Sequence, residues 1–273
     1  MQIMSLITAL PGATAQGLIW GIMAIGVYIT FRILDIADLT VDGTLCTGGA
    51  VCIMMMLSGH NVWVSMLVAT GAGLLAGLAT GIFHTFMGIP AILAGILTQL
   101  SLYSVNLKIM GKANQAINVD KFNLLVSLRR VKGVALTQNT LFIVAIMIII
   151  LIAVLYWFFG TELGCSLRAT GCNPSMSRAQ GINTDRNKVL GLMLSNGLVA
   201  LSGALLTQYQ GFADINMGRG SIVIGLAAVI IGEAIFSRIF RNFALKLLSV
   251  VFGSILYYLV LQIVIWMGID TDL

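Results

Sequence analysis

Three carboxylates, Asp35, Asp38 and Asp42, sit in "ILDIADLTVDGT" just ahead of an apolar run. Their spacing, i, i+3 and i+7, puts them on one face if the segment is helical. Grouped carboxylates at a membrane can hold a cation, relay protons or receive an amine. The plainer alternative is an interfacial loop, with Asp38 or Thr40 capping a helix that begins near Gly43. No histidine or cysteine accompanies the three, so a transition-metal site is not expected. Glu233, in "AAVIIGEAIFSR", lies near the end of another apolar run, where a structural ion pair with Arg238 or Arg241 is preferred to a proton relay. Gln99, Asn196 and Gln208 are uncharged, and either line a polar path or bond one helix to another. His60 and His84 read as interfacial residues. Cys46, Cys52, Cys165 and Cys172 lack C-x-x-C spacing and read as small packing residues. The chain has no G-x-x-x-x-G-K-[ST] phosphate loop and no Ser–His–Asp set, so catalysis by this chain is not expected.

A second polar stretch, "LGCSLRATGCNPSMSRAQGINTDR" from Leu163, lies between "LFIVAIMIIILIAVLYWFF" and "VLGLMLSNGLVALSGALL". Asn173 followed by Pro174 signals a helix start, with Asn as the N-cap and Pro at the first helical position. "PSMSRAQ" then makes about two turns, ended by Gly181 as a left-handed cap. The stretch therefore predicts a short helix lying along the membrane surface.

The elements that must position these groups are membrane spans. The 273 residues are 59% hydrophobic and 9% charged, against about 25% charged in soluble domains. Helical spans of about 20 apolar residues are read near 11–30, 43–58, 62–86, 89–110, 139–159, 188–208, 219–237 and 246–268. The second is short with a polar start, which predicts a broken or half-buried helix. The fold class is thus an all-α polytopic membrane protein, a single domain over 1–273 with about eight spans and one short surface helix. The formal charge of +5 is spread over several loops, giving no support to a nucleic-acid partner. The N-terminal residues lack a positive region ahead of the first span, so no cleavable signal peptide is expected. Loops 111–138 and 160–187 flank one span and must face opposite sides, yet both are basic. Placing 160–187 in the cytoplasm satisfies the positive-inside rule narrowly and puts both termini outside. Gly73, Gly77 and Gly81, like Gly17 and Gly21, repeat every four residues and predict close helix seams inside one subunit.

The motif from Gly164 through Arg168, Ala169, Gly171, Asn173, Ser177 and Gly181 to Ile182 resembles the cytoplasmic coupling loop of permease subunits from ATP-binding-cassette importers. The subfamily serves branched-chain amino acids, ribose-type sugars and nucleosides. "ILDIADLTVDGTLCTGGA" looks like the family's D-L-S-V-G segment beside the translocation path, and "AAVIIGEAIF" is similar to its A-x-V-x-G-G segment. The resemblance covers roughly residues 15–260. Asp42 stands where sugar permeases often have Gly, and Glu233 replaces a Gly. Both features look more like the Gram-positive branch linked to uptake of amino acids, including aromatic ones. The chain stops at "MGIDTDL", where relatives usually continue into a further span, so either the sequence is truncated or the branch is shorter.

The resemblance implies a multi-pass subunit of the bacterial plasma membrane that forms a path for a small polar solute. It would bind no cofactor itself, leaving ATP and magnesium to a partner ATPase. Two ATPase copies, a second permease copy and an extracellular substrate-binding protein or lipoprotein are implied. The helix after Asn173 and Pro174 would sit in a groove of the ATPase, with Arg168 and Arg178 as anchors and Gly171 and Gly181 permitting turns at its ends. Lys121, Arg129 and Arg130 in the outer loop would meet the binding protein. Asp38, Thr40, Asp42, Gln99, Asn196, Gln208 and Glu233 are the candidate path residues. A sugar or nucleoside cargo is the alternative within the family. An ion-coupled secondary transporter working through Asp35, Asp38 and Asp42 is the alternative outside it.

Overall fold

The computed structural model describes residues 2–117, 122, 124–131, 139–236 and 242–267. The helices in chain order are α1 (Gln2–Tyr28), α2 (Thr40–Leu57), α3 (Val62–Thr85), α4 (Ala91–Met110), α5 (Thr140–Gly160), α6 (Glu162–Cys172), α7 (Pro174–Ala179), α8 (Thr184–Gln210), α9 (Ser221–Phe236) and α10 (Phe243–Trp266). Seven of the described helices are long and apolar enough to cross a membrane, and α9 is a shorter apolar helix. The eight apolar runs read from hydropathy all recur as helices, seven of them of spanning length among the described residues, with shifted ends.

The second span is not broken: helix α2 is one helix of 18 residues, and α9 is described over 16, Ser221–Phe236. What breaks is the chain ahead of α2. Helix α1 ends in a π-helical turn, Ile29–Ile33, and Asp35 follows in the left-handed region at φ 56°. Residues 34–39 are then irregular, so α2 starts deep inside the bundle, level with Asn196 in the middle of α8.

Three helices make the interior. About three quarters of the apolar windows of α1, α2 and α8 are buried, against 22% for α4 and α5. Helix α8 packs most extensively on α3 and also on α2 and α1. Its contacts need small residues. A Cβ on Gly48 would collide with the Ala200 backbone, and one on Gly203 with the Leu45 carbonyl. Gly73 and Gly77 likewise face the Asn196 and Leu192 carbonyls, while Gly17 and Gly21 face α10 at Ile255 and Val251. These seams lie within one subunit, as the four-residue spacing predicts.

Helix α8 runs antiparallel to α1 and α3, since Ser195 Oγ donates to Gly26 O and Tyr209 Oη to Gly12 O. One face of the bundle therefore gathers the end of α1, the α3–α4 turn, α6, α7 and the start of α8. The opposite face carries a two-stranded antiparallel sheet, β1 (Asn114–Ala116) with β2 (Phe212–Asp214). No strand was expected from the sequence.

Candidate functional site

Two places hold the polar residues singled out by the sequence. The first is the α6–α7 face. Thr161 opens α6, its Oγ1 accepting from Gly164 N, and Asn173 opens α7, its Oδ1 accepting from Met176 N at 3.0 Å. Pro174 is the first residue of α7. Gly181, at φ 82°, closes it: its N–H donates to Arg178 O, and Ile182 N to Ser177 O. A left-handed turn there suits glycine, which has no Cβ to clash. The caps at both ends are as the sequence predicts, but the sequence yields only one helix in 160–187. Helix α6 is a second, eleven-residue helix ahead of it.

The side chains of this face divide into those used internally and those offered outward. Arg168 Nη2 donates to Phe159 O at 2.9 Å, and its guanidinium lies 5.9 Å from the Phe243 ring centroid. It ties α6 to the ends of α5 and α10. Gly171 is inside α6, not at a turn, and a Cβ there would overlap Ile33 O. It permits α6 to press on the π-helical end of α1. Gly164 similarly lies against the Phe158–Phe159 backbone, and Ala169 is half-buried. Arg178 braces α7 to the start of α8, with Nε donating to Thr184 Oγ1 at 2.7 Å and Nη2 meeting Asp185 Oδ1 at 3.2 Å. Ser177 is buried and donates to Asn173 O. Asn173, Pro174, Met176, Arg178 and Gln180 are exposed, with Met176 59% exposed. Cys165 and Cys172 are exposed too, so they are not packing residues; Cys46 and Cys52 are.

The second place is the interior around α2. The three aspartates do not share a face, because residues 34–39 are not helical. Asp35 is exposed. Asp38 is buried: its Oδ1 accepts from Thr40 N at 2.9 Å and its Oδ2 from Asn196 Nδ2 at 2.7 Å. Thr44 Oγ1 lies 2.7 Å from Asn196 Oδ1. The Thr40 and Thr80 hydroxyls are 2.8 Å apart, and Thr80 Oγ1 reaches Thr98 Oγ1 at 2.9 Å. This buried polar seam joins α2, α3, α4 and α8 and is closed on itself. Asp42 turns elsewhere. It accepts from Gly220 N, Ser221 Oγ and Ile222 N at 3.0, 2.8 and 3.0 Å. A carboxylate reaching from α2 thus caps the N-terminus of α9, where the orphan N–H groups and the helix dipole favour negative charge. The shared cation, proton or amine site read from the sequence is therefore not assembled. Among the described residues, no group of three His, Cys, Asp or Glu residues is placed to hold a metal ion.

The remaining candidates scatter. Gln208 is buried and accepts from Leu125 N at 3.3 Å, pinning the segment after β1 to α8. Gln99 lines a cavity between α2 and α4 together with Asp42. Glu233 pairs with Arg32, at 3.0 Å from its Nε; Arg238 and Arg241, the partners expected, lie outside the described residues. Lys121 also lies outside them, as do the side chains of Arg129 and Arg130. Sequence reasoning missed Arg32 as the partner of Glu233, and Asn106, a buried amide in the apolar helix α4. The second was legible as a buried polar residue in a span.

Residues 10–273 match the model of the family described as the branched-chain amino acid transport system permease component. The chain is 39% identical over 259 residues to the tyrosine transport system permease protein of Clostridioides difficile (strain R20291), covering 94% of this chain and 84% of that one. It is 39% identical to an uncharacterized protein of Rickettsia prowazekii (strain Madrid E), over 97% of this chain and 90% of the relative. It is 25% identical to the fructose import permease protein FruF of Bifidobacterium longum (strain NCC 2705), over 86% of this chain and 64% of that one. A bundle of apolar helices with one capped polar helix pair on a single face, matched along nearly its whole length, belongs to the ABC-type permease family of branched-chain amino acid transport systems, a family of multi-pass proteins of the bacterial plasma membrane.

Proposed function

We propose that this chain is the permease subunit of an importer that takes up an amino acid, with an aromatic amino acid as the favoured cargo. The α6–α7 pair carries the reading. It offers exposed polar groups where a membrane protein has no need of them, and it is braced so that a push cannot be absorbed locally. Helix α7 is fixed to α8 by Arg178, and α6 is fixed to α1 by the Gly171–Ile33 contact. Helix α8 is 27 residues long, about 40 Å at 1.5 Å per residue. It runs from this face to the Asp38–Asn196 seam and beyond. An ATPase that grips α7 therefore moves the interior as one body.

In this reading two copies of the permease pair with two ATPase subunits, which hold the ATP and magnesium, and a binding protein delivers cargo on the face that carries the β1–β2 sheet. Lys121, Arg129 and Arg130 steer that protein; rim charges of this kind affect docking rate more than affinity. The α6–α7 face is cytoplasmic. The cargo class is supported by the identity to the tyrosine permease.

The test is purification of the tagged chain from its native membrane, beside a Met176→Asp, Arg178→Glu variant. An ATPase that co-purifies with the native chain and not with the variant is the expected result. ATP-driven uptake of labelled tyrosine, compared with leucine and fructose, checks the cargo. Transport by the native chain without any ATPase would overturn the reading.

A further inference from the structure

The cavity between α2 and α4 has a volume of about 150 Å³ and is lined by Asp42, Gln99, Tyr103, Asn106 and Arg219 among others. This is more than one water needs and well below the several hundred Å³ of a pocket for a drug-sized ligand. It suits a small charged head group. Asn106 is 1% exposed. Its Nδ2 donates to Gly43 O at 3.3 Å, which fixes the amide's orientation, since the flipped form would set two acceptors face to face. Among the described residues its Oδ1 has no hydrogen-bond partner. An orphaned buried acceptor is destabilising, and this one lines a cavity that also holds a carboxylate and, at its exposed rim, a guanidinium.

We propose that this cavity is a transient binding site for the head group of a zwitterionic amino acid on its way through the subunit. Asn106 Oδ1 accepts a hydrogen bond from the ammonium, in the field of the Asp42 carboxylate. Three of the acceptor positions of Asp42 are already filled by α9, so Asp42 supplies charge more than a hydrogen bond. The Arg219 guanidinium takes the carboxylate, for which its planar fork is suited. The side chain of the cargo stays outside, against Tyr103 and Leu100, so the site reads the head group and not the side chain. A sugar, with neither charge, leaves both ends unmatched. The inference rests on the amino-acid reading above and adds the residues and the chemistry of recognition.

The experiment uses the whole transporter, with its ATPase and binding protein, in liposomes. ATP-driven tyrosine uptake by the native complex tests the amino-acid reading first. In Asn106→Leu and Arg219→Gln complexes, the tyrosine carried per ATP hydrolysed falls about tenfold. If the native complex carries tyrosine and both variants carry it equally well per ATP, Asn106 and Arg219 meet only water and this inference fails while the amino-acid reading stands. If the native complex carries a neutral sugar and no amino acid, the reading fails and the inference with it.

Discussion

The interior around α2 and the face formed by α6 and α7 are both rich in polar side chains, and they treat them in opposite ways. In the interior, Asp38, Asn196 and the threonines bond one another across four helices and are sealed from solvent. On the face, the bonds stay short in sequence, from Asn173 to Met176 and from Arg178 to Thr184, and leave exposed side chains over. The first arrangement fixes a shape, because a half-satisfied buried network is costly. The second fixes a small element while leaving its surface open for something else to hold. Stability and transport should therefore respond to different residues.

Gly48→Val is the severest test of that separation. The new side chain meets the Ala200 backbone, which cannot step aside, and the expected loss is about 3 kcal/mol or more, read as failure to recover folded protein in detergent. Asn196→Leu follows. It strips Asp38 and Thr44 of a partner each, and thermal unfolding should show a loss of about 1–3 kcal/mol, since interhelical bonds in membranes are weaker than the buried geometry suggests. Asp42→Ala removes the acceptor at the start of α9 and is expected to cost about 1–2 kcal/mol by the same measurement, with Asp42→Asn losing less. Arg178→Ala lies at the far end. Both members of its ion pair are more than half exposed, so unfolding should shift by no more than about 0.5 kcal/mol, while capture of the ATPase drops several-fold. A large stability loss at Arg178, or a silent Asn196, would erase the distinction between the two regions.

The spans were legible because a membrane demands apolar runs of a set length, and α7 because Asn173, Pro174 and Gly181 each have a local backbone reason to be there. Both signals act within a few residues. Helix α6 escaped because its character comes from what it packs on: Ile33 through Gly171, and Phe243 through Arg168. The aspartates were misgrouped for a related reason. A helical spacing was applied to Asp35, Asp38 and Asp42, but the π-turn and the left-handed Asp35 break the helix between α1 and α2 and send the three groups apart. The partners that then claim them, Asn196 and the start of α9, lie more than 150 residues away. The pairing of Glu233 with Arg32, across 201 positions, was out of reach for the same reason.

The distribution of thiols also makes the native chain its own reporter. Of its four cysteines, Cys46 and Cys52 are buried in the interior, while Cys165 and Cys172 are exposed and both lie on α6, about 10 Å apart along the helix axis at 1.5 Å per residue. A maleimide dye added to the folded protein should react with α6 and leave the interior untouched. The fluorescence of that single helix could then be followed through a transport cycle without altering a residue.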